Sequence, residues 1–285
     1  MLDLHAFFRP QSLDEALNLL HEHGERARPL AGGSSLIFAK GAPFDTLVDL
    51  GDVGLDGLTM KDAEMHLGAM VRVSNLRRHM DHLMTTTALT EAARGLYSRV
   101  IQNHVTVGGN CVMVYGWSDL PVVTWALGAR FVLKSTGGER EVDADTFYAK
   151  HPTKLIASDE LLTTILIPAI QKHAGSAYCK QGRDKTDEAL ASAAARVLLA
   201  EDGSVLAARV VVGAVRPLPQ KIDAPPVLVG AQPEEATLRA AATAIAQDLT
   251  VTESPLASAD YRRELVAVLI EDALTAAVAR AGESK

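Results

Sequence analysis

The chain has 285 residues, 48% of them hydrophobic, a formal net charge of −7 and two cysteines. That length exceeds one usual core, so two or three subdomains are expected, while the acidic balance argues against a nucleic-acid surface, which needs concentrated Lys and Arg. Cys111 and Cys179 are too few for a thiolate-bound iron–sulfur cluster or a four-thiolate zinc site, and the nine histidines are scattered without a metal-site arrangement. No run reaches the roughly 18 apolar residues that span a bilayer, and MLDLHAFFRP lacks a basic region followed by an apolar one, so a cytoplasmic protein is expected.

Ser12 followed by Glu15 forms a capping box ahead of Leu13, Ala16, Leu17 and Leu20 at helical spacing, and Gly24 supplies a stop. Arg28 to Ala31 and Thr46 to Leu50 read as short strands, so the chain is expected to open with a helix and two strands. Between those strands Gly32 and Gly33 precede two hydroxyls, Ser34 and Ser35. No Gly-Lys-Ser/Thr follows, as a P-loop requires, and the third glycine of a dinucleotide fingerprint is missing. LTMKDAEMHLGAMVR alternates around a turn at Lys61 to Ala63 and predicts a hairpin; Ser74 then caps a helix over SNLRRHMDHLM, and ALTEAARGLY gives a second.

The segment TVGGNCVMVYGWSD sets Gly108 and Gly109 between a β-branched run and Asn110, where a backbone lacking Cβ atoms turns sharply and approaches a ligand closely. Two such loops can clamp one diphosphate, although paired glycines also serve ordinary turns. Leu120 to Leu127 is apolar. Ala129 to Lys134 and Arg140 to Val142 form a hairpin across Ser135 to Gly138, and Asp159 to Pro168 is a strand ended by proline. From Ala177 to Lys180 a new unit starts with a short strand, followed by an Ala-rich run, Glu188 to Leu199, expected to be helical, a turn at Asp202 and Gly203, and a strand from Val205 to Val215. Pro217, Pro219, Pro225 and Pro226 are expected to exclude regular structure, with amphipathic helices near Glu234 to Asp248 and Tyr261 to Ala279 and a surface loop, TVTESPLASAD, between them.

Six pieces in this order, FRPQSLDEALNLL, ARPLAGGSSLI, TVGGN with Asp119 nine residues beyond Asn110, DELLTTILIP, AYCKQGRDKTDEAL and SADYRRELVAVLIEDAL, span nearly the whole chain. Together they resemble the FAD-binding medium subunit of the molybdenum hydroxylases, the xanthine dehydrogenase and carbon monoxide dehydrogenase group. The resemblance implies an α+β fold: a two-part vanillyl-alcohol-oxidase-type (PCMH) FAD-binding domain over residues 1–57 and 58–172, then a C-terminal α+β domain of the carbon monoxide dehydrogenase flavoprotein type over 173–285, with FAD between the parts. Carried over by position, it implies non-covalent FAD whose pyrophosphate is cradled by Ala31, Gly32, Gly33, Ser34 and Ser35 and by Thr106, Gly108, Gly109 and Asn110. It also implies that Asp119 accepts hydrogen bonds on the flavin side, that Leu162 packs near the isoalloxazine, and that Lys180 approaches the polar edge of the ring. Read from its neighbours alone, Asp119 also suits a helix cap before Leu120. IQNHV ahead of TVGGN and CVMVYGW after it depart from the family's pattern, and there Tyr115 and Trp117 suit either ring stacking or plain packing.

The function so implied is electron transfer, with the flavin and no side chain of this chain as the reacting group. A large molybdopterin-binding subunit would hydroxylate substrate, a small subunit with 2Fe-2S clusters would relay the electrons, and the FAD would pass them to NAD, oxygen or a quinone, in a dimer of heterotrimers. Two rival readings stand beside this one. An independent flavin-dependent oxidoreductase of the same superfamily would need a proton donor near the ring, for which no Ser/Glu pair is evidently placed; a non-redox nucleotide-binding module would use the two glycine pairs alone.

Overall fold

The structure is a computed structural model that describes residues 4–36, 43–80, 87–96, 98–169, 171–184 and 187–283. Two compact units are interleaved along the chain: Met1–Leu76, Ser98–Met113 and Ala129–Pro168 form the first, and Arg77–Tyr97, Val114–Gly128 and Ala169–Lys285 the second.

The first unit opens with a parallel sheet of β1 (Ala6–Phe8), β2 (Ala27–Leu30) and β3 (Thr46–Asp49) in the order β1-β3-β2. Its crossover helix α1 (Leu13–His23) starts as the capping box predicts, Ser12 Oγ accepting from the Glu15 N–H at 3.2 Å. The return bond comes from Gln11 N–H to the Glu15 carboxylate at 2.8 Å, one residue outside the usual box. Ala16, Leu17 and Leu20 are buried with Ala27, Val48, Leu50 and Leu161. β1 precedes the expected opening helix; three residues paired only with β3 leave no periodicity to read.

A second, antiparallel sheet contains β4 (Leu58–Lys61), β5 (Glu64–Gly68), β6 (Arg130–Ser135), β7 (Gly138–Asp143) and β8 (Leu161–Pro168), ordered β4-β5-β8-β6-β7. Both predicted hairpins are present, and the short helices α4 (Arg99–His104), α5 (Val107–Val112) and α7 (Ala144–Phe147) belong to the same unit. The helix expected from Ser74 is α2 (Val73–Met80), and it begins earlier, because the Arg72 carbonyl accepts from both Asn75 and Leu76; Ser74 therefore lies in its first turn. The expected continuation of this helix over residues 81–84 falls outside the described residues.

The second unit is built on an antiparallel sheet of β9 (Ala174–Gln181), β10 (Ala191–Leu199), β11 (Val205–Gly213) and β12 (Gln220–Asp223), ordered β12-β11-β10-β9. Helices α8 (Glu235–Asp248) and α9 (Ala259–Glu283) share a core with Ala177, Ala193, Ala195 and Val197 on one face. Helices α3 (Thr87–Gly95) and α6 (Asp119–Leu127) pack on the other. All nine residues of α6 are buried.

Two expectations fail in this unit. The Ala-rich run is strand β10, because small side chains let α9 lie close to the sheet: a Cβ at Gly175 of the neighbouring strand would stand 2.0 Å from the Ala277 carbonyl oxygen. Alanine's helix propensity is a weak prior that such packing overrides. The proline-rich stretch also holds a strand, β12, whose four residues fit between Pro219 and Pro225 and pair with β11. The loop after α8 is tied down rather than merely superficial, since Thr252 donates its N–H and Oγ1 to the Val215 carbonyl and Arg262 donates to the Thr252 carbonyl.

β9 is an edge strand, and unpaired edge groups invite association with other chains. Here two side chains cover them. The Tyr178 N–H donates to the Glu91 carboxylate at 2.8 Å, Arg280 donates to the Ser176 carbonyl at 2.6 Å, and the two side chains pair at 2.6 Å.

Candidate functional site

The glycine segments of the first unit meet backbone to backbone. Residues 105–108 run beside 69–73: the Val107 N–H donates to the Val71 carbonyl, Gly108 to Ala69 and Val73 to Val105, all at 2.9–3.0 Å. A Cβ at Gly108 would stand 2.6 Å from the Ala69 Cβ, and one at Gly32 only 1.6 Å from the His104 carbonyl oxygen. Both positions therefore require glycine for chain-to-chain contact, and Gly32 draws the 31–35 turn against residues 104–105. Gly33 has φ +73°, a reversal of the kind from which anion-binding backbone concavities are built.

TVGGN is not a loop. It is the start of α5 (Val107–Val112), with Thr106 as N-cap, its Oγ1 accepting from the Gly109 N–H at 3.1 Å and its carbonyl from Asn110 at 3.0 Å. The N–H groups of residues 107–110 are thus all committed within the unit. What the turn presents is a surface almost without side chains: Gly109 and Asn110 are half-buried where Val107, Gly108 and Cys111 are buried, and Ala31 Cβ lies 3.9 Å from where a Cβ at Gly109 would stand. Beside it the 31–35 turn offers the hydroxyls of Ser34 and Ser35. A diphosphate, needing close backbone approach and donors but little volume, fits these residues. Leu162 in β8 is buried, pairs with Leu133, and precedes Thr163, whose carbonyl accepts from Ala69 N–H.

In the second unit Asp119 and Lys180 form one ion pair. Asp119 is the first residue of α6, where a carboxylate suits the helix dipole, and Ser118 holds the N-cap position. Lys180 Nζ lies 3.0 and 3.2 Å from the two Asp119 oxygens, and Gly95 makes room for it, since a Cβ there would stand 3.2 Å from the lysine Cε. The Tyr178 hydroxyl donates to Asp119 Oδ1, and the Ser192 hydroxyl stands near enough to the phenol to favour its ionised form. Burial pushes the Asp119 carboxyl up, against the opposing pull of Lys180 and Tyr178; burial first and then the charge of Asp119 push the Tyr178 phenol well up. Tyr115 and Trp117, open to two uses in the sequence, stack on each other at 5.1 Å between ring centres.

The chain matches the FAD binding domain in molybdopterin dehydrogenase over residues 3–170 and the CO dehydrogenase flavoprotein C-terminal domain over residues 176–277. It belongs to the FAD-binding medium subunits of the molybdenum hydroxylases. Among relatives, it is 33% identical to the carbon monoxide dehydrogenase medium chain of Afipia carboxidovorans, covering 96% of this chain and 97% of that one. It is 30% identical to the 6-hydroxypseudooxynicotine dehydrogenase complex subunit alpha of Paenarthrobacter nicotinovorans, covering 96% and 94%. The fold superposes on a solved carbon monoxide dehydrogenase chain from Hydrogenophaga pseudoflava with a TM-score of 0.91 and 28% identity, covering 98% and 99%. Matching both domains sets this flavoprotein oxidoreductase subunit apart from the two rival readings.

Sequence reasoning missed Tyr178 and Ser192 around Asp119. Tyr178 was within reach: in a strand, residues two apart share a face, so Lys180 implies it. Ser192 was hidden because the run containing it reads as helix, whereas in β10 it stands directly opposite Lys180.

Proposed function

We propose that this subunit binds FAD non-covalently and serves as the exit of an electron-transfer chain, taking electrons from a 2Fe-2S subunit and passing them to NAD, oxygen or a quinone. The observation that carries the reading is the pair of glycine segments packed backbone to backbone in the first unit. Ala31 to Ser35 would supply amides and hydroxyls to the diphosphate, while Thr106, Gly108, Gly109 and Asn110 shape a surface low enough for it to approach. Leu162 would pack near the isoalloxazine, Asp119 would accept from the flavin side, and Lys180 would lie at the polar edge of the ring with its charge partly neutralised by Asp119. Bound FAD supplies the redox chemistry; these residues bind it and set the local electrostatics.

The partners we propose are a large molybdopterin-binding subunit and a small 2Fe-2S subunit, assembled in the cytoplasm as a dimer of heterotrimers. Relatives named as a medium chain and as a complex subunit support that reading. No described helix is long and apolar enough to cross a membrane.

Purified chain is expected to be yellow and to release its flavin on acid precipitation, Cys111 being fully buried. Gly109→Ala places a methyl on the low surface and crowds Thr106 Oγ1 to 2.8 Å. It should weaken FAD binding roughly tenfold or more, about 1.4 kcal/mol, measured by fluorescence titration of apoprotein. Wild-type affinity in a folded G109A chain would remove α5 from the site.

A further inference from the structure

The buried cluster on the inner face of β9 contains more than the pair Asp119 and Lys180. Tyr178 is two residues from Lys180 on the same strand face, Ser192 is opposite Lys180 on β10, and Asp119 reaches both Tyr178 and Lys180 from the first turn of α6. Asp119 is 4% exposed, Tyr178 5% and Ser192 2%, while Lys180 is half-buried. A phenol has one proton to donate, and it goes to Asp119 Oδ1, so the nearby Ser192 hydroxyl can act on the phenol oxygen only as a donor. The phenol proton and the Lys180 ammonium thus converge on one carboxylate, with Ser192 beside the phenol oxygen.

We propose that Tyr178 is a positioning residue which, braced by Ser192, keeps Asp119 ionised and aimed at Lys180, so that the pair acts as one fixed dipole. The inference deepens the reading of Asp119 and Lys180 as FAD contacts and rests on it for its bearing on function. Its physical basis is the balance at Asp119. Burial favours the neutral acid, while two kinds of donor, the ammonium and the phenol, favour the carboxylate. Hydrogen bonds to a charged group are the strong ones, so taking away the phenol proton removes a sizeable share of what opposes burial. The other charged groups on elements packed against α6 are Glu91 and Arg94 on α3, Arg196 on β10, Arg209 on β11, and Lys221 and Asp223 on β12. None is among the causes that move Asp119. Glu91 is turned to Arg280 and the Tyr178 N–H, and Arg196 and Arg209 donate to the Leu127 and Trp125 carbonyls at the other end of α6.

The test is an infrared titration of the full-length apoprotein, following the carboxyl band that disappears in Asp119→Asn. Tyr178→Phe keeps the ring and removes only the hydroxyl. Asp119 should then take up its proton at a roughly ten- to hundredfold lower proton concentration than in wild type. Ser192→Ala should shift it the same way by a smaller factor, and it provides the reading if Y178F does not fold. Return of the wild-type curve in Y178F, or in S192A where Y178F is unfolded, overturns the proposal. A general loss of packing would lower the melting temperature without moving this band. Because the titration needs no flavin, a chain that shows the shift but binds no FAD would refute the proposed function and leave the role of Tyr178 at Asp119 standing; FAD binding with an unmoved band would do the reverse.

Discussion

At the residue scale the decisive contact is Lys180 on Asp119, because a buried charge is stable only with its counter-charge. The family resemblance places Lys180 as a cation at the polar edge of the flavin ring; in the structure it is paired with Asp119 at 3.0 Å. Removing one partner of a buried pair costs about 3–5 kcal/mol, so Lys180→Met and Asp119→Asn should each lower the urea midpoint clearly, and the double variant should lose less than the sum. The pH behaviour of K180M follows in sign. The folded Asp119 carboxyl titrates above its ordinary 3.8, and losing the ammonium raises it further, so the folded state binds a proton that the unfolded chain lacks. Stability then falls as pH rises through that raised value and is regained toward 3.8. Urea midpoints of K180M and wild type compared at several pH values check this; a difference independent of pH would mean that Asp119 stays charged without Lys180.

At the element scale, packing sets both the identity of β10 and the close fit of α9. Gly175 on β9 touches the α9 backbone, where an added Cβ would meet the Ala277 oxygen at 2.0 Å and the Ala281 nitrogen at 2.6 Å. Neither atom can swing aside as a side chain would. Gly175→Ala should therefore cost at least about 1–3 kcal/mol, read as a fall in melting temperature, with Gly137→Ala in the β6–β7 turn, where only Ser135 Oγ lies near at 3.6 Å, as the mild comparison. In the first unit, Arg140 of β7 grips Glu160 ahead of β8 with two bonds of 2.7 and 2.8 Å, and Glu160 also accepts from Ala157 N–H. The arginine bond, more than any other cause, holds this carboxyl below its ordinary 4.5. Its contribution is present above 4.5 and is lost as pH falls through the lowered folded value. Glu160→Gln should cost about 1 kcal/mol near neutrality and reduce the acid slope of stability, which denaturant titrations from neutral to acid pH would register.

For the whole molecule, two cysteines in 285 residues cannot carry the clusters that feed a flavin, so the isolated chain is expected to hydroxylate nothing. From its native host it should co-purify with two other chains, burying on the order of 2,000 Å² or more, as permanent hetero-complexes do. Subunit stoichiometry with iron and molybdenum analysis checks this, and a lone chain reducing an acceptor at full rate would return the independent-oxidoreductase reading. Local chemistry was legible along the sequence. The Ser12 cap of α1, the turns at Lys61 to Ala63 and Ser135 to Gly138, strand β8 and helices α8 and α9 depend on residues a few positions apart, and the glycine pairs marked where backbone must come close. What glycine met there was decided elsewhere: Gly32 and Gly108 face His104 and Ala69, and TVGGN winds into a helix because Thr106 caps it against a neighbouring chain segment. The strand state of the alanines, the union of Asp119, Tyr178, Lys180 and Ser192, and the interleaving of the two units likewise came from tertiary structure alone. Alanine and glycine have too little side chain to specify a partner, and a buried ion pair between residues 61 positions apart exists only after sheet and helix have packed.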